Sequence, residues 1–379
     1  MPLDLVGPVV VVAIVFALFV GVRLSDYGGN ATGFIEFGQA FVVHTHPPAG
    51  ALVNSPQGYD GQFFWTQALD PLLLHSSTLV RLRSEAFRTQ RMAYPALAYV
   101  LAAGQVKAIP WTMLAINLLV VLAITAAFAV YARRRGWSGW WALAVGLTPG
   151  FLLATMRDLS DPLAAASMLA GLLAWRRDRR WFAAGLMTVA VLAREPMTLG
   201  VVAVAIDAGL GWWRSRADPG SLRRAVRRAW PVVLIPALAF VGWQIYIDAR
   251  FGTNVLKSSP GLRPPFANVV DEVRRSLHQD SPAGAAWDIA YLTLAVAGLG
   301  AAVRLVLRRA NAASIAALLL GLIFILLLLG DEWGDSRFGA PLFITLLLAG
   351  LEQRDRLALR ICVLAAALTA LIPVALGGG

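Results

Sequence analysis

Long apolar runs separated by short polar segments occupy almost the whole chain. A run of about 18–22 apolar residues is long enough to cross a hydrocarbon core of roughly 30 Å as a helix. We therefore expect an all-α polytopic membrane protein with about eleven spans, between roughly 10 and 12. The predicted spans are residues 6–22, 111–132, 137–155, 162–175, 181–193, 197–213, 231–247, 285–303, 312–330, 340–351 and 358–376.

The chain leaves no room for a separate soluble domain, so we expect residues 1–379 to form one transmembrane domain. The first apolar run has no basic segment before it and no small-residue cleavage site after it. We expect it to be retained as a membrane anchor rather than removed as a signal peptide.

One shorter apolar segment, residues 93–108, decides the predicted topology. If this segment does not cross the membrane, every arginine cluster falls on one side, which the positive-inside rule makes the cytoplasmic side. We therefore expect a half-buried hairpin or a juxtamembrane helix there. The arginine clusters lie at residues 133–135, 176–180, 214–228, 304–309 and 354–360.

The opposite side of the predicted membrane receives the long and acid-bearing loops. Loops beyond about 15 residues are usually functional or disordered, and the first outer loop, residues 24–110, carries too many aromatics for disorder. We therefore expect the functional site on the outer side. The outer segments are residues 24–110, 157–161, 194–195, 248–284 and 331–337.

Composition and charge narrow the class further. The chain is 58% hydrophobic with a mean hydropathy of +0.66, far above the apolar share of a soluble domain. The net charge of +11 comes from arginines clustered between apolar runs, which indicates topology and excludes nucleic acid as a partner. The single cysteine, Cys362, lies in an apolar run and excludes a disulfide framework within the chain.

The stretch 59–71, Tyr-Asp-Gly-Gln-Phe-Phe-Trp-Thr-Gln-Ala-Leu-Asp-Pro, is the most informative part of the first outer loop. As a helix it would place an apolar stripe on one face, the pattern of a helix in the plane of the membrane interface. Asp60 would begin that helix, where the dipole favours a negative charge. An acidic N-cap with no other role is the alternative. The apolar stripe consists of Phe64, Trp65, Ala68, Leu69 and Leu72.

These residues resemble the GT-C superfamily of membrane glycosyltransferases that use polyprenyl-phosphate sugars. Tyr59–Phe64 is similar to the Trp-Asp-x-x-Trp/Tyr-Tyr signature of mannosyltransferases in that group, and to a Tyr-Asp-Gly-Gln-Phe segment of a bacterial family linked to cell-surface glycopolymer formation. The resemblance covers roughly residues 1–215, which would form a GT-C-like module including loop 24–110, and residues 216–379 would supply the remaining C-terminal helices.

Four further motifs resemble elements of the same superfamily. Asp161 stands where the mannosyltransferase pattern has Glu, which leaves the sugar open. The motifs are Arg91-Met-Ala-Tyr-Pro95, Asp158-Leu-Ser-Asp-Pro162, Leu192-Ala-Arg-Glu195 and Ser336-Arg-Phe-Gly-Ala-Pro341.

The resemblance implies an inverting displacement on the outer face, for which Asp60 is the expected general base. Asp158 and Asp161 would orient the acceptor or, alternatively, join Asp60 around Mg²⁺ or Mn²⁺. We favour the metal-free version, because the first loop has no Asp-x-Asp to supply clustered oxygen ligands. His44 and His46 provide two nitrogen ligands without a third, so no metal site is predicted there.

A phosphate leaving group favours arginine, which binds it bidentately and keeps its charge. Arg194 and Arg337 are the best candidates, because both lie at outer ends of predicted spans. Arg194 would alternatively form an ion pair with Glu195 or with an acid of the second outer segment. The other predicted substrate-binding residues are Arg157, Tyr59, Gln62, Glu36 and Arg91.

The expected partners are a polyprenyl-phosphate-linked sugar donor, a glycan or lipid acceptor, and membrane lipid. The expected location is a bacterial plasma membrane, with the active site facing the periplasm or the outside. A transporter, or a flippase or ligase of cell-surface glycan precursors, is the alternative. A transporter predicts interrupted helices and acids at the bilayer midplane, whereas the predicted spans here are almost free of acids except Asp207.

Overall fold

The computed structural model describes residues 3–258, 264, 266–278, 282–328 and 336–368 of the chain. The predicted all-α class is confirmed, since the described residues are mostly helical. The α-helices are α1 (Leu3–Asp26), α2 (Gln39–Thr45), α3 (Asp60–Ala68), α4 (Ser76–Leu82), α5 (Ala93–Leu101), α6 (Ile109–Arg134), α7 (Leu143–Gly146), α8 (Pro149–Met156), α9 (Asp161–Arg176), α10 (Arg180–Ala193), α11 (Thr198–Arg214), α12 (Ser221–Phe251), α13 (Ala267–Leu277), α14 (Pro282–Arg309), α15 (Ala312–Ile323), α16 (Ser336–Gln353) and α17 (Arg356–Ala367).

Shorter elements connect these helices. Two short strands, β1 (Phe37–Gly38) and β2 (Val53–Ser55), pair in parallel within the first loop. A π-helical turn, Phe324–Leu328, follows α15. The 3₁₀-helices are Ala31–Phe34, Arg83–Gln90, Val106–Ala108, Gly139–Ala142, Glu195–Met197 and Val255–Ser258.

Five helical stretches are long and apolar enough to cross a membrane. A sixth is added if Gly139–Gly146 and Gly150–Met156, which meet at a bend of 48°, are counted as one broken span. The other predicted spans fall on α9, α10, α15, α16 and α17, whose described lengths lie between 12 and 18 residues. The five long stretches are Leu3–Asp26, Val106–Arg134, Glu195–Arg214, Ser221–Phe251 and Ala285–Arg309.

The ambiguous segment 93–108 is a short helix, as predicted for a segment that does not cross. The nine residues of α5 rise only about 14 Å, less than half of a hydrocarbon core. The Tyr94 hydroxyl anchors α5 by donating to the Met113 carbonyl of α6 at 3.0 Å, and it accepts from the Asn117 amide at 3.0 Å.

Helix α9 lies at the centre of the helical bundle. Nearly all of its side chains are buried, and many of them are alanine. Small residues allow neighbouring backbones to approach closely, which favours helix association without large side chains. The contacts of Gly171 with Met187 and of Gly200 with Met168 illustrate this close approach. The hydropathy pattern cannot separate such a protein-enclosed helix from a lipid-facing one, because both are apolar.

The arginine clusters gather at one end of the bundle, as predicted. Tyr131, at the C-terminal end of α6, donates to Glu352 at 2.9 Å. Between Met113 and Tyr131, α6 rises roughly 27 Å, close to the thickness of a hydrocarbon core. We name this end the basic pole. It is defined by the ion pairs Asp4–Arg133 at 2.6 Å, Arg176–Glu352 at 2.8 Å and Arg308–Asp355 at 2.9 Å.

Candidate functional site

The opposite end of the bundle carries a second concentration of charge, built around the N-terminus of α3. Most of the residues predicted as functional meet there. We name it the site pole and define it by Glu36, Tyr59, Asp60, Arg88, Arg91, Arg157, Asp158, Asp161, Arg194 and Glu195.

Helix α3 differs from the predicted interfacial helix. All nine of its residues are buried, whereas an interfacial helix would expose its polar face. The first loop folds over it, and Phe37 and Tyr94 pack edge-on against Trp65 and Phe64. Leu72 lies beyond the end of the helix and is exposed. The polar residues of α3 therefore face protein rather than water.

The Tyr-Asp-Gly-Gln sequence has a local physical explanation. A side chain at Gly61 would begin 2.6 Å from the Arg157 carbonyl oxygen and 2.7 Å from that of Ile35, so only glycine fits. Gln62 accepts from the Gly38 backbone N–H at 3.1 Å and donates to the Gln57 carbonyl at 3.2 Å. The predicted substrate-binding residue Gln62 therefore fastens the first loop to α3.

Asp60 is held between two guanidinium groups. Its Oδ1 contacts Arg88 and its Oδ2 accepts from Arg91 Nη1 at 3.2 Å. Arg91 Nε also lies 3.0 Å from Glu195 Oε1, while Arg88 Nε lies 2.9 Å from Glu85 Oε2. The Asp60 side chain is 7% exposed, so these contacts hold it in a largely desolvated place.

Arg194 lies in a buried ion pair with Asp161. Arg194 Nε and Asp161 Oδ1 are 3.0 Å apart, and the two side chains are 3% and 6% exposed. Of the alternatives for Arg194, pairing with an acid of the second outer segment is the arrangement observed. Glu195 instead pairs with Arg91. A fully desolvated pair of this kind is stable only when both partners remain, because either charge alone is costly to bury.

Arg157 joins two more predicted residues. Its Nε lies 3.3 Å from Glu36 Oε2, and its guanidinium lies 4.1 Å from the centre of the Tyr59 ring. The Tyr59 N–H donates to the Glu36 carbonyl at 3.0 Å. Glu36 has φ +58, a left-handed conformation that costs a non-glycine residue energy and recurs at functional sites.

Asp158 is the unusual carboxyl group of the site pole. It lies in the turn between α8 and α9 with φ +46, it is fully buried, and neither of its oxygens has a hydrogen-bond partner among the described residues. Burial raises the pKa of Asp158 well above its ordinary value, which favours the neutral acid. Burial, and next the charge of Asp158, also raise the pKa of the Tyr94 hydroxyl.

Several functional side chains were missed by the sequence analysis. Arg88 and Glu195 contact the predicted residues Asp60 and Arg91, yet neither was assigned a role in the site. A usable signal existed for Arg88, which lies three residues before Arg91 in a polar stretch of the first loop. The side chain of the predicted phosphate ligand Arg337 lies outside the described residues.

Metal ligands do not cluster in the described part of the chain. Among residues 3–258, 264, 266–278, 282–328 and 336–368, no three His, Cys, Asp or Glu side chains are placed to hold one ion. Apart from Asp158, the carboxylates that define the site pole pair with arginines.

An apolar groove runs along α1 beside the site pole. Its volume is about 920 Å³, and α7, α8 and α17 form its other walls. Arg23 and Asp26 lie at the end of the groove formed by the C-terminus of α1, and Met156 of α8 comes directly before Arg157 in the chain. The lining therefore ends at the residue before the turn that carries Arg157 and Asp158, and none of the residues that define the site pole lines the groove.

Comparison of the chain with protein-family models, with curated proteins and with solved structures gave no match. The resemblance to the GT-C superfamily thus rests on the motifs quoted above. A functional conclusion must come from the geometry of the site pole and the groove beside it.

Proposed function

We propose that the protein is an inverting glycosyltransferase that moves a sugar from a polyprenyl-phosphate donor to a glycan or lipid acceptor. The observation that carries this proposal is Asp60, a largely buried carboxylate at a helix N-terminus, held between Arg88 and Arg91. A base beside two guanidinium groups is the combination that transfer from a phosphate needs. The base activates the acceptor hydroxyl and the arginines stabilise the phosphate that leaves.

The residues divide the reaction among themselves as follows. The acceptor oxygen attacks the anomeric carbon of the sugar as the bond from that carbon to the phosphate oxygen breaks, and the bonding electrons leave with the phosphate. Asp60 takes the proton of the attacking hydroxyl. Arg88 and Arg91 neutralise charge on the leaving phosphate, Arg157 adds positive charge beside Tyr59, and the Arg194–Asp161 pair fixes the second wall of the site. No metal ion enters this scheme.

The groove along α1 supports a lipid-borne substrate. Its walls are almost entirely apolar, it lies along a helix long enough to cross a membrane, and its lining includes Met156, the residue before Arg157. A polyprenyl chain in this groove would bring its phosphate to the site pole. Arginine at the interface then binds the phosphate without carrying charge into the hydrocarbon.

The proposal includes the GT-C-like architecture and eleven spans, with α9, α10, α15, α16 and α17 in the bilayer as well. The gathering of the arginine clusters at the basic pole supports a cytoplasmic place for that end. The site pole would then face the outside of a bacterial plasma membrane. There it would act on a cell-surface glycan or lipid.

A carrier is the second candidate, and Asp158 is the observation that favours it. Proton-coupled carriers use buried acids that lack a fixed partner, which describes Asp158 among the described residues. However, carriers place such groups near the bilayer midplane. Asp158 lies instead with the other charges at one end of the bundle, beside Arg157 and Asp161, which supports the transferase.

The test is sugar transfer by the purified full-length protein in lipid vesicles. Radiolabelled synthetic polyprenyl-phosphate hexoses and pentoses are supplied with membrane glycoconjugate acceptors, with and without EDTA. We expect label in the acceptor at a rate that EDTA does not change. Absence of transfer from every donor, together with protein-dependent uptake of a glycan precursor into the vesicles, would replace the transferase by a carrier.

A further inference from the structure

Arg88 and Arg91 form a two-pronged anion site that is already occupied. The two carboxylate oxygens of Asp60 are divided between them, with Oδ1 on Arg88 and Oδ2 on Arg91. Each arginine also has an acid on its far side, Glu85 for Arg88 and Glu195 for Arg91. The two guanidinium groups are thereby aligned on a single pair of oxygens in the middle.

A pair of oxygens bridging two guanidinium groups is also the arrangement that phosphate offers. Arginine prefers planar, paired contacts to phosphate oxygens, and a phosphate has more oxygens and more charge than a carboxylate. An incoming phosphate can therefore compete with Asp60 for the same donors. A carboxylate that gives up these contacts regains the lone pairs with which it accepts a proton.

We propose that Arg88 and Arg91 bind the phosphate of the lipid-phosphate donor, and that Asp60 occupies this site until the donor displaces it. The inference rests on the proposed function, because it names the phosphate ligands of that same site. It assigns Arg88 a binding role and makes Asp60 available as a base only when the donor is in place. Premature attack by water would be limited for the same reason.

The surroundings of Arg88 suit an exchange of partners without movement of the backbone. Arg88 lies on the 3₁₀-helix Arg83–Gln90. Two hydrogen bonds hold this helix in place, because the Thr89 carbonyl accepts from Gln67 Nε2 at 3.1 Å and from Trp243 Nε1 at 3.0 Å. The Arg88 side chain is 23% exposed, about twice the 11% of Arg91. The more accessible arginine is therefore the first of the two that an incoming phosphate would meet.

Aromatic rings support the guanidinium of Arg88 during such an exchange. It lies 4.8 Å from the centre of the Phe63 ring and 4.9 Å from that of Phe87. These cation–π contacts keep the guanidinium in place whichever anion it binds. Glu85 is half-buried, and burial raises its pKa.

The experiment measures binding of farnesyl phosphate to the full-length protein in detergent, with farnesol and inorganic phosphate as comparison ligands. The variants are Arg88→Gln, Asp60→Asn and the matched control Arg83→Gln, which removes an exposed arginine from the same helix. Thermal unfolding of each variant verifies that it is folded. The double variant Asp60→Asn with Arg88→Gln is used to measure how the two positions depend on each other.

We expect Arg88→Gln to weaken farnesyl phosphate binding by about 10- to 100-fold, the value of one charge-assisted contact. We expect Asp60→Asn to bind farnesyl phosphate several fold more tightly than the wild type, because the competing charge is removed. The double variant should not show this increase in affinity. Arg83→Gln should leave farnesyl phosphate binding unchanged, and farnesol binding should not respond to any variant. Stronger binding of farnesyl phosphate than of inorganic phosphate identifies a lipid phosphate as the ligand.

Weaker or unchanged binding by folded Asp60→Asn would overturn the proposal, as would equal effects of Arg88→Gln and Arg83→Gln. These outcomes are separate from failure of the transferase. Sugar transfer by a protein whose phosphate binding ignores Arg88 would remove this inference alone. The predicted binding pattern without transfer from any donor would remove the transferase and retain the phosphate site.

Discussion

The basic pole and the site pole both consist of arginines paired with carboxylates, but the burial of these charges differs. At the basic pole the arginines that hold the buried Asp355 are exposed: Asp355 is 1% exposed, whereas its partners Arg304 and Arg308 are about half exposed. At the site pole the two most buried arginines are Arg194, 3% exposed, and Arg91, 11% exposed. Burial of the arginine therefore distinguishes these pairs.

This difference separates structural charge from functional charge. An exposed arginine compensates the charge of a buried carboxylate at a small desolvation cost, since its own charge stays in water. Burying an arginine has a large desolvation cost, so a buried arginine is expected where its charge serves a function.

The largest stability effect is expected from breaking the buried pair Arg194–Asp161. Arg194→Gln leaves the Asp161 charge desolvated and should lower the free energy of unfolding by about 3–5 kcal/mol. The matched change at the basic end, Arg224→Gln, breaks the exposed pair with Asp218 and should cost no more than about 1 kcal/mol. Denaturant unfolding followed by tryptophan fluorescence measures both. Equal costs would remove the distinction between the poles.

A smaller effect is expected from Asp355→Ala at the basic pole. Asp355 is the N-cap of α17, where its Oδ1 accepts from the N–H groups of Leu357 and Ala358 at 3.1 Å. Loss of this cap should lower the free energy of unfolding by about 1–2 kcal/mol. The rate of sugar transfer at saturating donor should stay within about twofold of the wild-type rate. A twofold change in rate corresponds to less than about 0.5 kcal/mol of activation free energy. A large loss of sugar transfer in the folded variant would show that catalysis depends on the basic pole, which contradicts the account.

The smallest effect concerns Asp158 and appears in the pH dependence of stability. Because burial raises its pKa in the folded state, the folded protein keeps a proton that the unfolded chain loses above roughly pH 4. Wild-type stability from this group therefore falls as pH rises. The Asp158→Asn variant has no ionisable group at this position. Its melting temperature relative to that of the wild type should therefore rise between pH 5 and pH 8. A difference that stays constant, or that moves the other way, would show that Asp158 is charged in the folded protein.

The sequence could predict the class of fold and most of the site pole. Apolar run length follows from bilayer thickness, and the arginine clusters sort the loops to two sides. Asp60, Asp161 and Arg194 were singled out by their motifs and by their positions in the outer segments, and the structure places them at one end of the bundle. The sequence left two candidate partners for Arg194, and it could not decide between them because the choice depends on how α9 and α10 pack.

Two misses have specific physical causes. The stretch 59–71 has an apolar stripe, yet α3 is buried on every side, because polar residues such as Gln62 and Gln67 bond to loop carbonyls that hydropathy does not register. Span number is limited in a similar way. A run such as 162–175 reads as lipid-facing when alanine packing in fact encloses it within the protein.

The most direct test of the account compares two isosteric variants, one from each pole, in a single donor-to-acceptor transfer assay. Asp60→Asn removes the proposed base, and Glu352→Gln changes a carboxylate that contacts Tyr131 and Asn311 at the basic pole. The account predicts a loss of turnover of about 10²- to 10⁴-fold for Asp60→Asn at a temperature where circular dichroism shows the variant to be folded, and a lowered melting temperature for Glu352→Gln with turnover retained. Full turnover by Asp60→Asn, or an equal loss in both variants, would contradict it.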